Sequence, residues 1–275
     1  MNTRILQLIS ALALMSDDNF AAWGWRIPFI ASIVLVAVGL VIRLKIMESP
    51  GFAKIKAEKT EAQVPIVEVF KHHAKPVFLA AGAFIIINSY FYILVSYIIS
   101  YATAPAIGMS RGGVIGVLLF SSLVTFFTIP FWGALSDKVG RRNLYLIGTA
   151  GMGVSAFAVF AAVDAKSLVL FAVAHTIALA GFLAMGYGPM ASMYAELFST
   201  RLRYSGASLG YQGGAIFGGA LGPIVSVYLF DVTGTSMSIA IYVFAMAVIS
   251  FACMYALTDT RDSDIDADTP LAKSV

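Results

Sequence analysis

Charged residues punctuate this chain at wide intervals and leave long apolar stretches between them. Marking every Asp, Glu, Lys and Arg leaves seven uncharged runs, at 27–42, 76–110, 112–136, 143–163, 167–195, 204–230 and 232–258. About 20 apolar residues rising 1.5 Å each cross roughly 30 Å of hydrocarbon. The shortest run reaches that length by taking in Arg43 and Leu44, because an arginine at a helix end can snorkel to the interface. Core helices of a soluble domain are rarely this long and show a polar stripe. The pattern therefore predicts seven membrane-spanning helices. An eighth apolar stretch, 5–15, is too short to span. It is followed by Ser16-Asp17-Asp18, which is no small-residue cleavage site, and preceded by one basic residue, Arg4, so it reads as the end of a membrane helix and not as a signal peptide.

The connections carry the orientation. One alternate set holds Arg43, Lys45, Lys54, Lys56, Lys59, Lys71, Lys75, Lys138, Arg141, Arg142, Arg201, Arg203, Arg261 and Lys273, and the other holds Arg26, Arg111 and Lys166. With Arg4 set aside because its helix is incomplete, the excess puts the first set and the C-terminus in the cytoplasm. Trp23 and Trp25 then fall at the outer edge of the first span, where indoles favour the interface. The expected fold is an all-α polytopic membrane helix bundle in four parts. Residues 1–46 hold a helix remnant and one full span. Residues 47–75 form a solvated, partly helical cytoplasmic loop mixing lysines with Glu48, Glu58, Glu61 and Glu68. Residues 76–257 form a six-helix bundle. Residues 258–275, with Asp259, Asp262, Asp264, Asp266 and Asp268, form a tail expected to be disordered.

Composition narrows the function. Hydrophobic residues make up 59% and charged residues 12% of the chain, which excludes disorder and an ordinary soluble enzyme. A net charge of +3, scattered along the chain, gives no reason to expect nucleic acid. Cys253 stands alone and no His/Cys cluster offers metal-ligand spacing, so neither metal nor cofactor is expected. No nucleophile, base and orienter occur together and no glycine loop could cradle phosphate, so an enzyme is not expected. Seven helices also suggest a retinal receptor, but that chemistry needs a lysine in mid-membrane and no uncharged run has one. A channel is disfavoured because no ring of filter residues is apparent.

The most specific signal is the connection Gly133-Ala-Leu-Ser-Asp137-Lys-Val-Gly140-Arg141-Arg142. Gly140 permits a tight reversal, Asp137 sits where a helix leaves the membrane, and the arginines can pair with it or with phosphates. A simple positive-inside anchor accounts for the arginines but not for the spacing of glycine and aspartate. This loop resembles the one found between the second and third helix of each six-helix half in the major facilitator superfamily. Three further stretches are similar to its metabolite:proton symporter branch, which includes carriers of dicarboxylates, shikimate and betaine: Trp23-Gly-Trp-Arg-Ile-Pro-Phe29, Glu48-Ser-Pro-Gly-Phe52 and Ala195-Glu-Leu-Phe-Ser-Thr-Arg-Leu-Arg-Tyr-Ser-Gly-Ala-Ser-Leu-Gly-Tyr-Gln212. Ser199 departs from the proline common there.

The resemblance implies twelve helices in a complete protein, of which this chain supplies the C-terminal six-helix half, the sixth helix and a remnant of the fifth. It implies a multi-pass carrier of the cell membrane that moves small polar metabolites, organic acids or zwitterions, together with protons by alternating access. A truncated gene, a misplaced start and a half-carrier needing a separate N-terminal half all remain open, as does a non-transporting membrane fragment. A chain with one bundle is not expected to transport alone, and the coupling carboxylate of a proton symporter is not found within the seven spans. The resemblance further implies that Glu196, Arg201 and Arg203 pair with Asp137 and Arg141 to close a cytoplasmic gate. Anchoring to lipid headgroups is the competing account.

From residue 206 a ladder of Gly206, Gly210, Gly214, Gly218 and Gly222 steps by fours. Four residues turn a helix by about 400°, so the ladder drifts about 40° per step and should wind round the helix as a groove for close approach. Static tight packing and sliding in a rocking carrier are both compatible with it. Ionisable groups inside spans are scarce. His175, Asn88, Tyr90, Tyr92, Tyr211 and Gln212 are the candidates to meet a polar substrate, with hydrogen bonding between helices as the alternative for each.

Overall fold

The computed structural model describes residues 17–45, 65–198 and 202–257. The expected helix remnant at 5–15, most of the 47–75 loop, Arg201 and the tail lie outside them. Among the described residues, seven helices are long and apolar enough to cross a membrane: α1 Ala22–Lys45, α2 His73–Thr103, α3 Arg111–Val139, α4 Arg141–Asp164, α5 Leu168–Glu196, α6 Arg203–Thr233 and α7 Met237–Ala256. The chain divides into two compact units, residues 1–53 and 54–275.

In the first unit, Arg26 opens the regular part of α1. Its guanidinium lies 4.4 Å from the Trp25 ring centroid and donates to the Ala22 carbonyl at 2.8 Å. Arg43 and Lys45 end the helix, where cations complement the unpaired carbonyls.

In the second unit α6 and α7 run along α2, α4 lies along α7 and α5, and α3 packs on α5. The helix leading into α2 begins at Pro65, so residues 65–75 of the expected loop are helical, and it bends at His73. The bend has a local cause, since Pro76 lacks an N–H and its ring crowds the preceding turn. Ser110 and Ser167 cap α3 and α5 by accepting from the backbone N–H of Gly113 and Leu170. Gly140, at φ 104°, makes the reversal between α3 and α4, a conformation that L side chains rarely adopt. The 76–110 run contains a turn as well as a helix, because α2 stops at Thr103, before Pro105 and Gly108.

The packing is inverted relative to a soluble domain. Phe120, Phe126, Phe127 and Phe131 of α3 lie exposed on the surface, whereas Tyr90, Tyr145, Ser121, Thr149 and His175 are buried. Such an apolar exterior is compatible with lipid around it and not with water.

The glycine ladder differs in shape from the expected winding groove. A Cβ on Gly210 would lie 2.9 Å from Ala80 Cβ, one on Gly214 2.5 Å from Ala81 O, and one on Gly222 2.8 Å from Ser89 Oγ, while one on Gly218 would collide with Ile85 O. Four glycines thus stay on a single partner, α2, and Gly206 meets Phe198 instead. The reason is a π-helical segment, Ile216–Ala220, inside α6. Its i→i+5 bonding puts more residues into each turn, so a four-residue step rotates less there than in an α-helix.

This geometry makes a differential prediction. Gly214→Ala forces a backbone shift and should cost about 1–3 kcal/mol, whereas Gly116→Ala, whose Cβ would meet nothing within 4 Å, should be neutral or slightly stabilising. Thermal unfolding in detergent checks the pair. Equal midpoints for the two variants would refute the close seam.

Candidate functional site

Halfway along the second unit's helices lies a cavity of about 380 Å³, bounded by α2, α3, α5 and α6. Its polar lining is Asn88 and Tyr92 from α2, Ser122 and Thr125 from α3, Tyr187 from α5 and Tyr211 from α6, and the rest is apolar or aromatic. None of its twelve lining residues is Asp, Glu, Lys, Arg or His. Three π-helical segments adjoin it: Ile93–Tyr97 directly follows Tyr92, Ile177–Leu183 contributes Leu179 and Leu183, and Ile216–Ala220 follows Tyr211 by about one turn. Such segments re-aim side chains and loosen the regular ladder, and they recur at functional sites.

Two groups in the wall have bonding capacity left over. Asn88 Nδ2 is buried without a hydrogen-bond partner, a state that ordinarily costs about 1–3 kcal/mol. Thr125 donates its hydroxyl to Ser121 O at 2.7 Å and keeps lone pairs for another donor. The Phe84 and Tyr211 rings lie with centroids 4.1 Å apart and planes tilted by 36°, which holds the Tyr211 ring in the wall.

Of the six residues singled out from sequence to meet a substrate, Asn88, Tyr92 and Tyr211 line the cavity and Tyr90, His175 and Gln212 do not. Asn88 and Tyr92 are four apart and share a helix face, while Tyr90, two residues from each, points to the opposite side. It is fully buried, with its hydroxyl 3.0 Å from Ser155 Oγ. Gln212 is exposed, one residue and about 100° round from Tyr211. His175 is sealed off and saturated: Nε2 donates to Leu94 O at 3.1 Å, and Nδ1 lies 2.9 Å from Ser121 Oγ. Ser122, Thr125 and Tyr187 were missed. Their signal was available in the hydroxyls at 121, 122 and 125 inside an otherwise apolar run, and in the Gly186-Tyr-Gly188 stretch of α5.

A second constellation sits where α3 turns into α4. Arg141 pairs with Asp137 at 2.9 Å across the Gly140 reversal and with Glu196 from the end of α5. The Glu196 side chain is 6% exposed and that of Asp137 61%, so the desolvated bond is the one to Glu196. Gly188 of α5 lets the backbones of α3 and α5 approach at Gly133, since a Cβ on Gly188 would lie 2.9 Å from Gly133 N, whereas one on Gly133 would make only an ordinary contact, 3.5 Å from Gly188 O. Arg203 donates from Nε to Ala195 O at 2.8 Å. Arg142 lies apart from Asp137: it donates to Tyr255 O and lies 5.1 Å from that ring's centroid, at the end of α7. Among the described residues, no group of three His, Cys, Asp or Glu could hold a metal ion.

The burial difference ranks the two acidic partners. Glu196→Gln should lower stability by about 1–3 kcal/mol because it removes the charge from the shielded side of the pair with Arg141, and Asp137→Asn by less than about 1 kcal/mol. Unfolding midpoints in detergent give the order, and a larger loss for Asp137→Asn would reverse the assignment.

Residues 104–273 match the family model described as Major Facilitator Superfamily. The chain is 30% identical over 257 residues to the inner membrane metabolite transport protein YhjE of Escherichia coli (strain K12), an alignment covering 92% of this chain and 58% of that protein. It is 32% identical over 266 residues to the shikimate transporter of the same organism, covering 92% and 59%. It is 28% identical over 281 residues to the glycine betaine/proline/ectoine/pipecolic acid transporter OusA of Dickeya dadantii (strain 3937), covering 98% and 55%. The chain thus spans between 55% and 59% of the length of these curated relatives.

Proposed function

The chain belongs to the major facilitator superfamily, and from that premise we propose that it serves a secondary carrier moving a small polar metabolite across the cell membrane by alternating access. It is a multi-pass membrane protein, and its relatives are named for transport and not for catalysis. The observation that carries the proposal is the cavity: it lies at mid-height, where a carrier places its substrate, and an unpaired amide donor, Asn88 Nδ2, adjoins it.

The chemistry of the wall favours one class among those the relatives' names suggest. An uncompensated charge is costly in a site of low dielectric constant, and this wall offers hydroxyls, an amide and rings with no formal counter-charge. A zwitterion, which carries its own counter-charge, suits such a wall better than a dicarboxylate. An organic acid with several hydroxyls, such as shikimate, is the second reading, supported by the hydroxyls of Ser122 and Thr125. Coupling to protons rests on the resemblance to the metabolite:proton symporter branch. Rocking requires a second bundle facing the cavity, which an N-terminal half would supply. The Asp137–Arg141–Glu196 cluster acts in this reading as the cytoplasmic gate, a charged contact that forms in one state and is solvated in the other. The excess of cations on that side supports a cytoplasmic C-terminus.

Binding tests the reading without requiring uptake. In purified full chain in nanodiscs, glycine betaine or proline should raise the unfolding midpoint where succinate does not, and Asn88→Leu should weaken that binding about five- to tenfold. Equal protection by succinate, or binding indifferent to Asn88→Leu, would contradict the assigned wall.

A further inference from the structure

The cavity wall is rich in rings, and its rings and aliphatic hydroxyls come from different helices. Five of its twelve lining residues are aromatic, Phe84, Phe91 and Tyr92 from α2, Tyr187 from α5 and Tyr211 from α6, whereas α3 contributes Ser122, Thr125 and Ile129. An aromatic ring has a negative face and a positive edge. Rings that converge from several helices therefore attract a cation without the help of a carboxylate, and this wall contains no Asp or Glu.

Two of the tyrosines are fixed by what backs them. Tyr211 lies against the buried ring of Phe84. Gly219 of α6 comes so close to Tyr92 that a Cβ there would lie 3.0 Å from Cε2 and 3.2 Å from Cδ2, and Phe91 meets the same ring edge to face at 5.5 Å. Tyr92, Tyr187 and Tyr211 thus stand on three helices around one space. Asn88 lies four residues from both Phe84 and Tyr92, about 6 Å along the axis from each. Its buried Nδ2 has no partner. A bound molecule therefore meets rings at one end and, at the other, an amide donor and the hydroxyl of Ser122.

The kind of cation follows from what the wall lacks. An ammonium with N–H groups gives up bonds to water on entering, and no carboxylate replaces them. A quaternary ammonium has no N–H to satisfy and presents its charge over methyl surface, which is what aromatic cages hold.

We propose that Tyr92, Tyr187 and Tyr211 form a seat for a quaternary ammonium group, so that the cavity takes an N-methylated zwitterion with its carboxylate on the side of Asn88 and Ser122. The proposal rests on the carrier reading and narrows it from zwitterions in general to fully methylated ones. The rings act through their faces, and their hydroxyls are not needed to hold the cation.

Methylation state and ring electronics test the seat apart from the carrier reading. Calorimetric titration of the full chain in nanodiscs should find glycine betaine bound at least about tenfold more tightly than glycine, with dimethylglycine between them. Tyr187→Phe and Tyr211→Phe keep the ring and should hold the affinity for glycine betaine within about threefold, whereas Tyr187→Leu and Tyr211→Leu should lower it about tenfold. Should the leucine variants fail to fold, a phenylalanine carrying three ring fluorines at position 187 decides, because fluorine draws charge from the ring face and barely alters its shape. It should bind glycine betaine about fivefold more weakly than Tyr187→Phe. Glycine bound as tightly as glycine betaine, or equal affinity for the plain and the fluorinated ring, overturns the seat. Binding that falls with Asn88→Leu and ignores the rings overturns the seat and upholds the carrier reading, while a chain that binds neither glycine betaine nor proline refutes the carrier reading and the seat with it.

Discussion

The second unit depends on the backbone carbonyls of α2. In hydrocarbon a helix satisfies its own peptide groups and helices gain nothing from hydrophobic attraction to one another. Association must then come from close packing and from hydrogen bonds that use spare acceptor capacity, since each carbonyl has two lone pairs. Tyr145 of α4 donates to Ala83 O at 2.5 Å, Tyr194 of α5 to Ala80 O at 2.5 Å and Ser250 of α7 to Gly82 O at 2.8 Å. His175 of α5 adds a fourth bond, to Leu94 O at 3.1 Å. Bonds of this kind contribute about 0.6–2 kcal/mol each in a membrane. The glycines of α6 supply the other half of the arrangement by letting that helix approach where a side chain would stand.

That arrangement places the cavity. With one side of α2 bonded to α4, α5 and α7 and another pressed by α6, Asn88 and Tyr92 lie at the edge of the α6 contact, beside Gly218 and Gly219, and line the cavity together with residues of α3 and α5. The three π-helical segments of the second unit adjoin the cavity, and two of them offer a carbonyl to a neighbouring helix: Leu94 O accepts from His175, and Ala180 O accepts from Trp132 Nε1 at 3.2 Å.

The spans were legible because lipid imposes both length and composition: the uncharged run 112–136 sits within α3, Arg111–Val139, with the charges falling at its ends. The loop at Gly140 was legible because few residues other than glycine adopt a φ of 104°. Rotation about each helix axis was not legible. In a span apolar on all sides, nothing in the pattern says that Tyr92 faces the cavity while Tyr90 faces Ser155, or that His175 has both nitrogens engaged. The π segments left no compositional trace, so the glycine ladder was expected to drift where it in fact holds to one partner. Asp164 was passed over for a related reason: a charge at the end of an uncharged run marks a boundary, and only the fold brings Tyr101 and Ser236 to it.

The central claim is that α2 is the fixed post of the second unit. Hydrogen exchange of the full chain in nanodiscs, resolved by segment, measures it directly. Segment 77–92 should exchange last among the helices of the unit, and the simultaneous removal of two donors by Tyr145→Phe and Tyr194→Phe should speed it more than any other segment. Slower exchange in α3 or α6 than in 77–92, or acceleration spread evenly over the helices in the double variant, would contradict the account.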